Sequence, residues 1–120
     1  TGSGGGYNII KKFNSPDGSL SIAVKKMTTP FVSKDRAALV LRELNLLKSL
    51  QLNGHRNIVR LIGMYTVDET ARDIQSVYHI TEHCGSPLST LIANPEYSMG
   101  SVKKWIKELL SALQHIHSMG

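Results

Sequence analysis

The chain has 120 residues, with 14 Lys+Arg against 9 Asp+Glu and a formal net charge of +5. At 41% hydrophobic and 19% charged it has the composition of a folded soluble chain, which excludes a wholly disordered one. The single cysteine, Cys84, excludes an intrachain disulfide framework and points to a reducing compartment, and no apolar run approaches the ~18 residues of a membrane span.

In chain order, Gly4-Gly5-Gly6 precedes a strand expected over residues 7–13. Asn14-Ser15-Pro16-Asp17-Gly18 is a dense turn signal, and residues 19–26 read as the returning strand, so the chain opens as a β-hairpin. Pro30-Phe31 breaks the pattern; Ser33 then caps a helix expected to reach about Leu50, with Asp35 in its first turn. Residues 57–66 and 76–82 are rich in strand formers and read as an antiparallel pair joined by the polar stretch Asp68–Gln75. After Gly85-Ser86-Pro87 a short helix runs to about Ala93. From Ser101 the apolar residues Val102, Trp105, Ile106, Leu109, Leu110, Leu113 and Ile116 recur at helical spacing. The order predicts an α+β fold with one helix against a small antiparallel sheet. A chain that starts at Thr1 rather than Met is expected of a fragment or a processed protein.

Three features carry chemistry. Glu43 shares a helix face with Arg36, Leu39, Val40, Leu46, Leu47 and Leu50, so an acid stands near the middle of this helix's most apolar face. Burying a carboxylate there demands a cation, unless it sits at the stripe's edge and reaches water. Lys25 is the candidate partner. In Ile22-Ala23-Val24-Lys25-Lys26 alternate residues share a face, so a small Ala23 sits beside Lys25 while Ile22, Val24 and Lys26 point away. That leaves room for a flat ligand next to an anion-binding ammonium; the plain alternative is a solvated lysine on an edge strand. Gly2-Ser3-Gly4 precedes the first strand, where backbone without side chains can approach phosphates, or simply form a flexible end.

Taken together, Gly-x-Gly, strand, turn, Ala23-Val24-Lys25 and then Glu43 eighteen residues later resemble the N-terminal lobe of a protein kinase. His55-Arg56-Asn57-Ile58-Val59-Arg60-Leu61, Val77 to Cys84, and Ala112 to Ser118 resemble that family's H-x-N-I-V-x-L strand entry, its fifth strand with hinge, and the helix before its catalytic loop. The likeness covers essentially the whole chain. Val24-Lys25-Lys26-Met27-Thr28-Thr29-Pro30-Phe31 and Leu41 to Lys48 look like the MAP kinases, and the connector ending Ser76-Val77-Tyr78 is similar to their stress-activated branch. The resemblance implies a kinase N-lobe and hinge over residues 1–84 and the incomplete beginning of a C-lobe over 85–120.

It also implies a nucleotide site, with ATP as cofactor and Mg²⁺ beside it. Lys25 would hold the α/β-phosphates and pair with Glu43. Gly2, Ser3, Gly4, Gly5, Gly6 and Tyr7 would cover the phosphates, and Ile9 and Ala23 would flank the adenine. Thr81 would stand behind the adenine pocket, and the Glu82 carbonyl and Cys84 amide would bond the adenine edge. Leu47 and Leu61 would belong to the apolar spine joining the lobes. The implied partners of the parent are protein substrates and an upstream kinase, in cytoplasm or nucleus. The basic pairs Lys11-Lys12, Lys25-Lys26 and Lys103-Lys104 are scattered and lack interleaved aromatics, which speaks against nucleic acid, and no membrane segment is expected.

Two departures stand out. Tyr7 occupies the third Gly of Gly-x-Gly-x-x-Gly, and Pro87 stands where MAP kinases carry an acid for the ribose. The H-R-D loop and D-F-G segment, with the catalytic Asp and the Mg²⁺ ligands, would lie beyond Gly120, so no catalytic residue and no metal ligand is assigned. The alternative is a pseudokinase or regulatory interaction module without phosphotransfer. A dinucleotide-binding unit fits poorly, because here the glycines open a strand and not a helix. The expectations are a Lys25–Glu43 contact, no phosphotransfer by the 120 residues alone, and an apolar helix from Ser101 left open to association.

Overall fold

The computed structural model describes residues 8–67, 70, 74–94 and 96–120. Strands β1 (Asn8–Asn14), β2 (Ser21–Thr28), β3 (Leu61–Tyr65) and β4 (Ser76–Glu82) form one antiparallel sheet in the order β1-β2-β4-β3. Helix α1 (Lys34–Leu52) follows β2, and α2 (Leu88–Ile92) and α3 (Met99–Ser118) follow the sheet. This is the α+β layout expected from the sequence.

The β1–β2 turn is built by its polar residues. Gly18 takes φ +71°, which only glycine adopts readily, and its amide donates to the Ser15 carbonyl at 2.9 Å. The Asp17 carboxylate accepts from the Ser15 hydroxyl, and from the Ser19 amide at 3.1 Å and hydroxyl at 2.8 Å. These donors hold its carboxyl down at about 2, the Ser15 hydroxyl first among them.

Each strand face follows from the register. Ala23 faces Lys12 and Thr81, Lys25 faces Ile10 and His79, and Met27 faces Asn8 and Val77. Directly opposed residues in an antiparallel pair point to the same side, so Ala23, Lys25, Met27, Val77, His79 and Thr81 share one face. Helix α1 packs on the Met27 and Val77 part of that face and forms the core there: Met27 (1% exposed), Val40 and Leu44 are buried, and Val77 packs against them.

Ser33 caps α1 as expected, accepting from the Arg36 amide at 3.2 Å. The chain reaches it through Thr29, a non-glycine residue at φ +45°, and the buried Pro30. Arg36 then ties the helix start back to this corner, its Nε donating to the Thr29 carbonyl at 3.1 Å and Nη2 to the Thr28 carbonyl at 3.0 Å.

Several details differ from the sequence reading. Strand β2 starts at Ser21 rather than at residue 19. The strand expected over 57–66 pairs only from Leu61, because residues 55–58 close a turn in which the Ile58 amide donates to the His55 carbonyl. Helix α3 begins at Met99, since it is Ser98 that accepts from the Ser101 amide. The buried stripe of α1 runs through Val40 and Leu44, while Leu39 and Leu46 are exposed. Glu43 therefore stands at the edge of the stripe, not its middle. Helix α3 leaves Ile106, Leu109, Leu110, Leu113 and Ile116 exposed and buries Ala112. None of the helices among the described residues is long and apolar enough to cross a membrane.

Met27 is the keystone of the sheet–helix contact. Replacing it with Ala is expected to lower unfolding free energy by about 2–4 kcal/mol, read as an earlier midpoint in denaturant with an unchanged slope. A loss below about 1 kcal/mol would mean that α1 does not rest on the sheet at this point.

Candidate functional site

The candidate site is the part of the α1-facing sheet surface that carries Ala23 and Lys25. Strand β2 aims Lys25 at α1, and Glu43 meets it from the helix: Nζ lies 2.6 Å from Oε1. The side chains are 20% and 39% exposed, so the pair is partly screened by water and its worth is modest. Its value lies in direction: the ammonium is held on the sheet face that also bears the small Ala23.

The same oxygen has a second neighbour. His79 on β4 is opposite Lys25 in the register, and its Nε2 lies 3.9 Å from Glu43 Oε1. The residue is only 5% exposed and, among the described residues, its Nδ1 has no hydrogen-bond partner. Burial pushes its pKa below the usual 6.5, Glu43 opposes that shift, and Lys25 reinforces it.

Thr81 lies on the same face as Ala23, directly opposite it. At the end of β4, the Glu82 amide donates to the Arg60 carbonyl at 3.0 Å, and the Glu82 carboxylate accepts from the Arg60 amide at 2.8 Å. The His83 amide donates to the Ser21 carbonyl at 3.0 Å, which locks the exit from the sheet. The Glu82 carbonyl is approached by Cys84 Sγ at 3.9 Å, and among the described residues the Cys84 amide donates to nothing. An acceptor and a donor are thus spaced two residues apart along one edge. Partial burial pushes the Cys84 thiol up, and the Glu82 charge adds to this, so the sulfur stays protonated at neutral pH. Pro87 offers no side-chain cap to α2, and Leu47 and Leu61 are both half-buried.

The register corrects one residue. Ile9 pairs with Lys26, so it points to the far side of the sheet from Ala23; Ile10, paired with Lys25, takes the position beside the candidate site. Ile9 instead lines an apolar groove of about 650 Å³ with Phe13, Val24, Tyr78 and Ile80. That groove is the roomier hollow, yet it lies on the face opposite Lys25 and holds no other candidate residue. Gly2, Ser3, Gly4, Gly5, Gly6 and Tyr7 lie outside the described residues. His79 and Ile10 were missed by the sequence reading. Counting back from Lys25 across the hairpin would have found Ile10, whereas His79 had no local signal.

The other histidines do not build a site. His55 Nδ1 accepts from the Asn57 amide at 3.1 Å, which leaves Nε2–H to donate to the Ser111 hydroxyl at 3.2 Å, and the ring stacks on His115. No three His, Cys, Asp or Glu among the described residues converge as a metal ion requires. A nucleotide fits the donors present; a bound Mg²⁺ finds no ligand set among these residues.

A Lys25→Met/Glu43→Gln double-mutant cycle on unfolding free energy is expected to give a coupling of about 0.5–1 kcal/mol that shrinks as salt is raised. Zero coupling at low salt would show that the pair does not persist in solution.

Comparison with known proteins extends the likeness to the full length. The family model described as "Protein kinase domain" matches residues 1–120. The chain is 30% identical over 119 residues to mitogen-activated protein kinase 12 of Rattus norvegicus, covering 99% of this chain and 31% of that protein. It is also 30% identical over 119 residues to mitogen-activated protein kinase 14 of Xenopus laevis, covering 99% and 32%. Against mitogen-activated protein kinase pmk-2 of Caenorhabditis elegans it is 29% identical over 116 residues, covering 97% and 27%. The chain spans about a third of the length of the curated relatives it matches. With a lysine and a glutamate meeting across sheet and helix, and a family match from the first residue to the last, the chain belongs to the protein kinase domain family.

Proposed function

We propose that these residues form the ATP-binding part of a Ser/Thr protein kinase of MAP kinase type. The observation that carries the reading is the 2.6 Å contact of Lys25 with Glu43 on the face that also bears Ala23. A fixed ammonium beside a small side chain suits a triphosphate next to a flat base. Lys25 would hold the α- and β-phosphates and Glu43 would keep it extended. Ala23 and Ile10 would form the ceiling over the adenine, with Ile10 in the role first expected of Ile9. Thr81 would bound the back of the pocket, and the Glu82 carbonyl and Cys84 amide would take the adenine edge. The glycine-rich stretch from Gly2 to Tyr7 would close over the phosphates.

On this reading residues 1–84 are the N-lobe with hinge and 85–120 begin the C-lobe. Mg²⁺ would arrive with the nucleotide and supply charge neutralisation at the phosphates when bound. The whole protein would transfer the γ-phosphoryl group to protein hydroxyls and answer to an upstream kinase. The similarity to mitogen-activated protein kinases supports this reading, as does the order of motifs along the chain.

Mg-ATP titration of the full-length gene product tests the proposal. Lys25→Met is expected to weaken binding at least about tenfold and to abolish phosphotransfer. Ile10→Ala is expected to weaken binding by about threefold to tenfold while Ile9→Ala leaves it within about twofold. The 120 residues alone are expected to show no turnover. Binding that is indifferent to Lys25→Met would contradict the site; tight binding without transfer in the full-length product would favour the regulatory module.

A further inference from the structure

Glu43 Oε1 is the meeting point of two cations-in-waiting. Lys25 Nζ occupies it at 2.6 Å, and His79 Nε2 stands 3.9 Å from the same atom. Lysine and carboxylate ride on flexible stems, but the imidazole does not. It is buried at the centre of the sheet, between β2 and β3, where neither burial nor register lets it withdraw. A charge-assisted hydrogen bond to Oε1 needs about 2.8 Å, so a shift of roughly 1 Å by the glutamate tip closes the gap. Among the described residues Nδ1 has no partner and no other group fixes the ring's tautomer; the arrangement that faces the carboxylate best carries its hydrogen on Nε2.

We infer that His79 is a positioning residue that decides which cation holds Glu43: while neutral, with its hydrogen on Nε2, it leaves Oε1 to Lys25, and on taking a second proton at Nδ1 the imidazolium draws Oε1 toward Nε2–H and loosens Lys25. The groups that face it are few. From β2 comes Lys25 and from α1 Glu43; its partner on β3 is the uncharged Met64; Lys12 shares the sheet face but lies on β1, two strands away. Both burial and Lys25 resist the proton, and only Glu43 favours it. Proton uptake in the folded chain therefore falls below the ordinary imidazole range. The unfolded chain takes the proton first, so this group's contribution to stability is present above pH about 6.5 and is lost as the pH falls below it.

The inference rests on the nucleotide reading only for its consequence at the site, so the test has two arms. In the first, the Cε1 resonance of His79 is titrated in the full-length gene product labelled at histidine. The expected midpoint lies below about 6.5; Glu43→Gln lowers it further by removing the attraction, and Lys25→Met raises it by removing the repulsion. A midpoint that neither substitution moves overturns the inference, whether or not nucleotide binds. In the second, Mg-ATP affinity is followed from about pH 7.5 to about pH 5.5. It is expected to fall at least about threefold more in the natural protein than in His79→Gln, which keeps a polar side chain but cannot take the proton. Parallel pH profiles overturn the inference. Absence of Mg-ATP binding at every pH contradicts the proposed function instead, and leaves the titration arm to decide the role of His79.

Discussion

The contact between Lys25 and Glu43 is the one link that joins a strand's chemistry to a helix's position. Apart from it, α1 is placed by a small apolar patch of Met27, Val40, Leu44 and Val77 and by the Arg36 bonds at its start. That patch sets how far the helix stands from the sheet. A polar contact reaching across from Lys25 adds direction, and so fixes which turn of α1 stands beside Lys25. The pair is partly wet, so its energy is small compared with that of the apolar core. Its consequence is geometric: a long, flexible ammonium is held at one place beside an open strand face.

Other polar contacts serve the same geometry. Arg36 binds the Thr28 and Thr29 carbonyls and pins the start of α1 to the end of β2, so the helix cannot slide along its axis without breaking them. Reciprocal bonds between Glu82 and Arg60 anchor the end of β4 to the chain entering β3. The result is a rigid sheet corner from which the Glu82 carbonyl and Cys84 amide emerge. The sheet's two faces then divide the labour. One bears the small residue, the lysine and the helix; the other bears Ile9, Phe13, Val24 and Tyr78 around an apolar hollow.

Much of this was legible in the residues, for physical reasons. Ser33 reads as a cap because its hydroxyl can satisfy a free amide of the first turn, and Asp17-Gly18 reads as a turn because glycine accepts a positive φ. The split of Ala23 and Lys25 from Ile22, Val24 and Lys26 follows from strand alternation alone. What failed was the face of one strand residue. Ile9, expected beside Ala23 from the family resemblance, pairs with Lys26 and so faces the other side, because a one-residue difference in register inverts a side chain's face. Pairing through the hairpin is the stricter ruler. The acid's helix face was also misjudged: Leu44 is buried and Leu46 is not, so Glu43 lies at the stripe's edge and still finds its cation. His79 could not be found at all, since only the pairing of β2 with β4 brings it to Lys25 across more than fifty residues of sequence.

The central claim is that the Lys25 face of the sheet, and not its opposite face, receives the nucleotide. Backbone amide shifts of the full-length gene product during titration with Mg-ATP test it most directly. The account predicts large changes at Ile10, Ala23, Lys25 and Thr81 through Cys84, with Val24, Lys26 and Tyr78 changing little. Changes concentrated at Phe13, Val24, Tyr78 and Ile80, with Lys25 and Cys84 unmoved, would place the ligand in the opposite groove and contradict it.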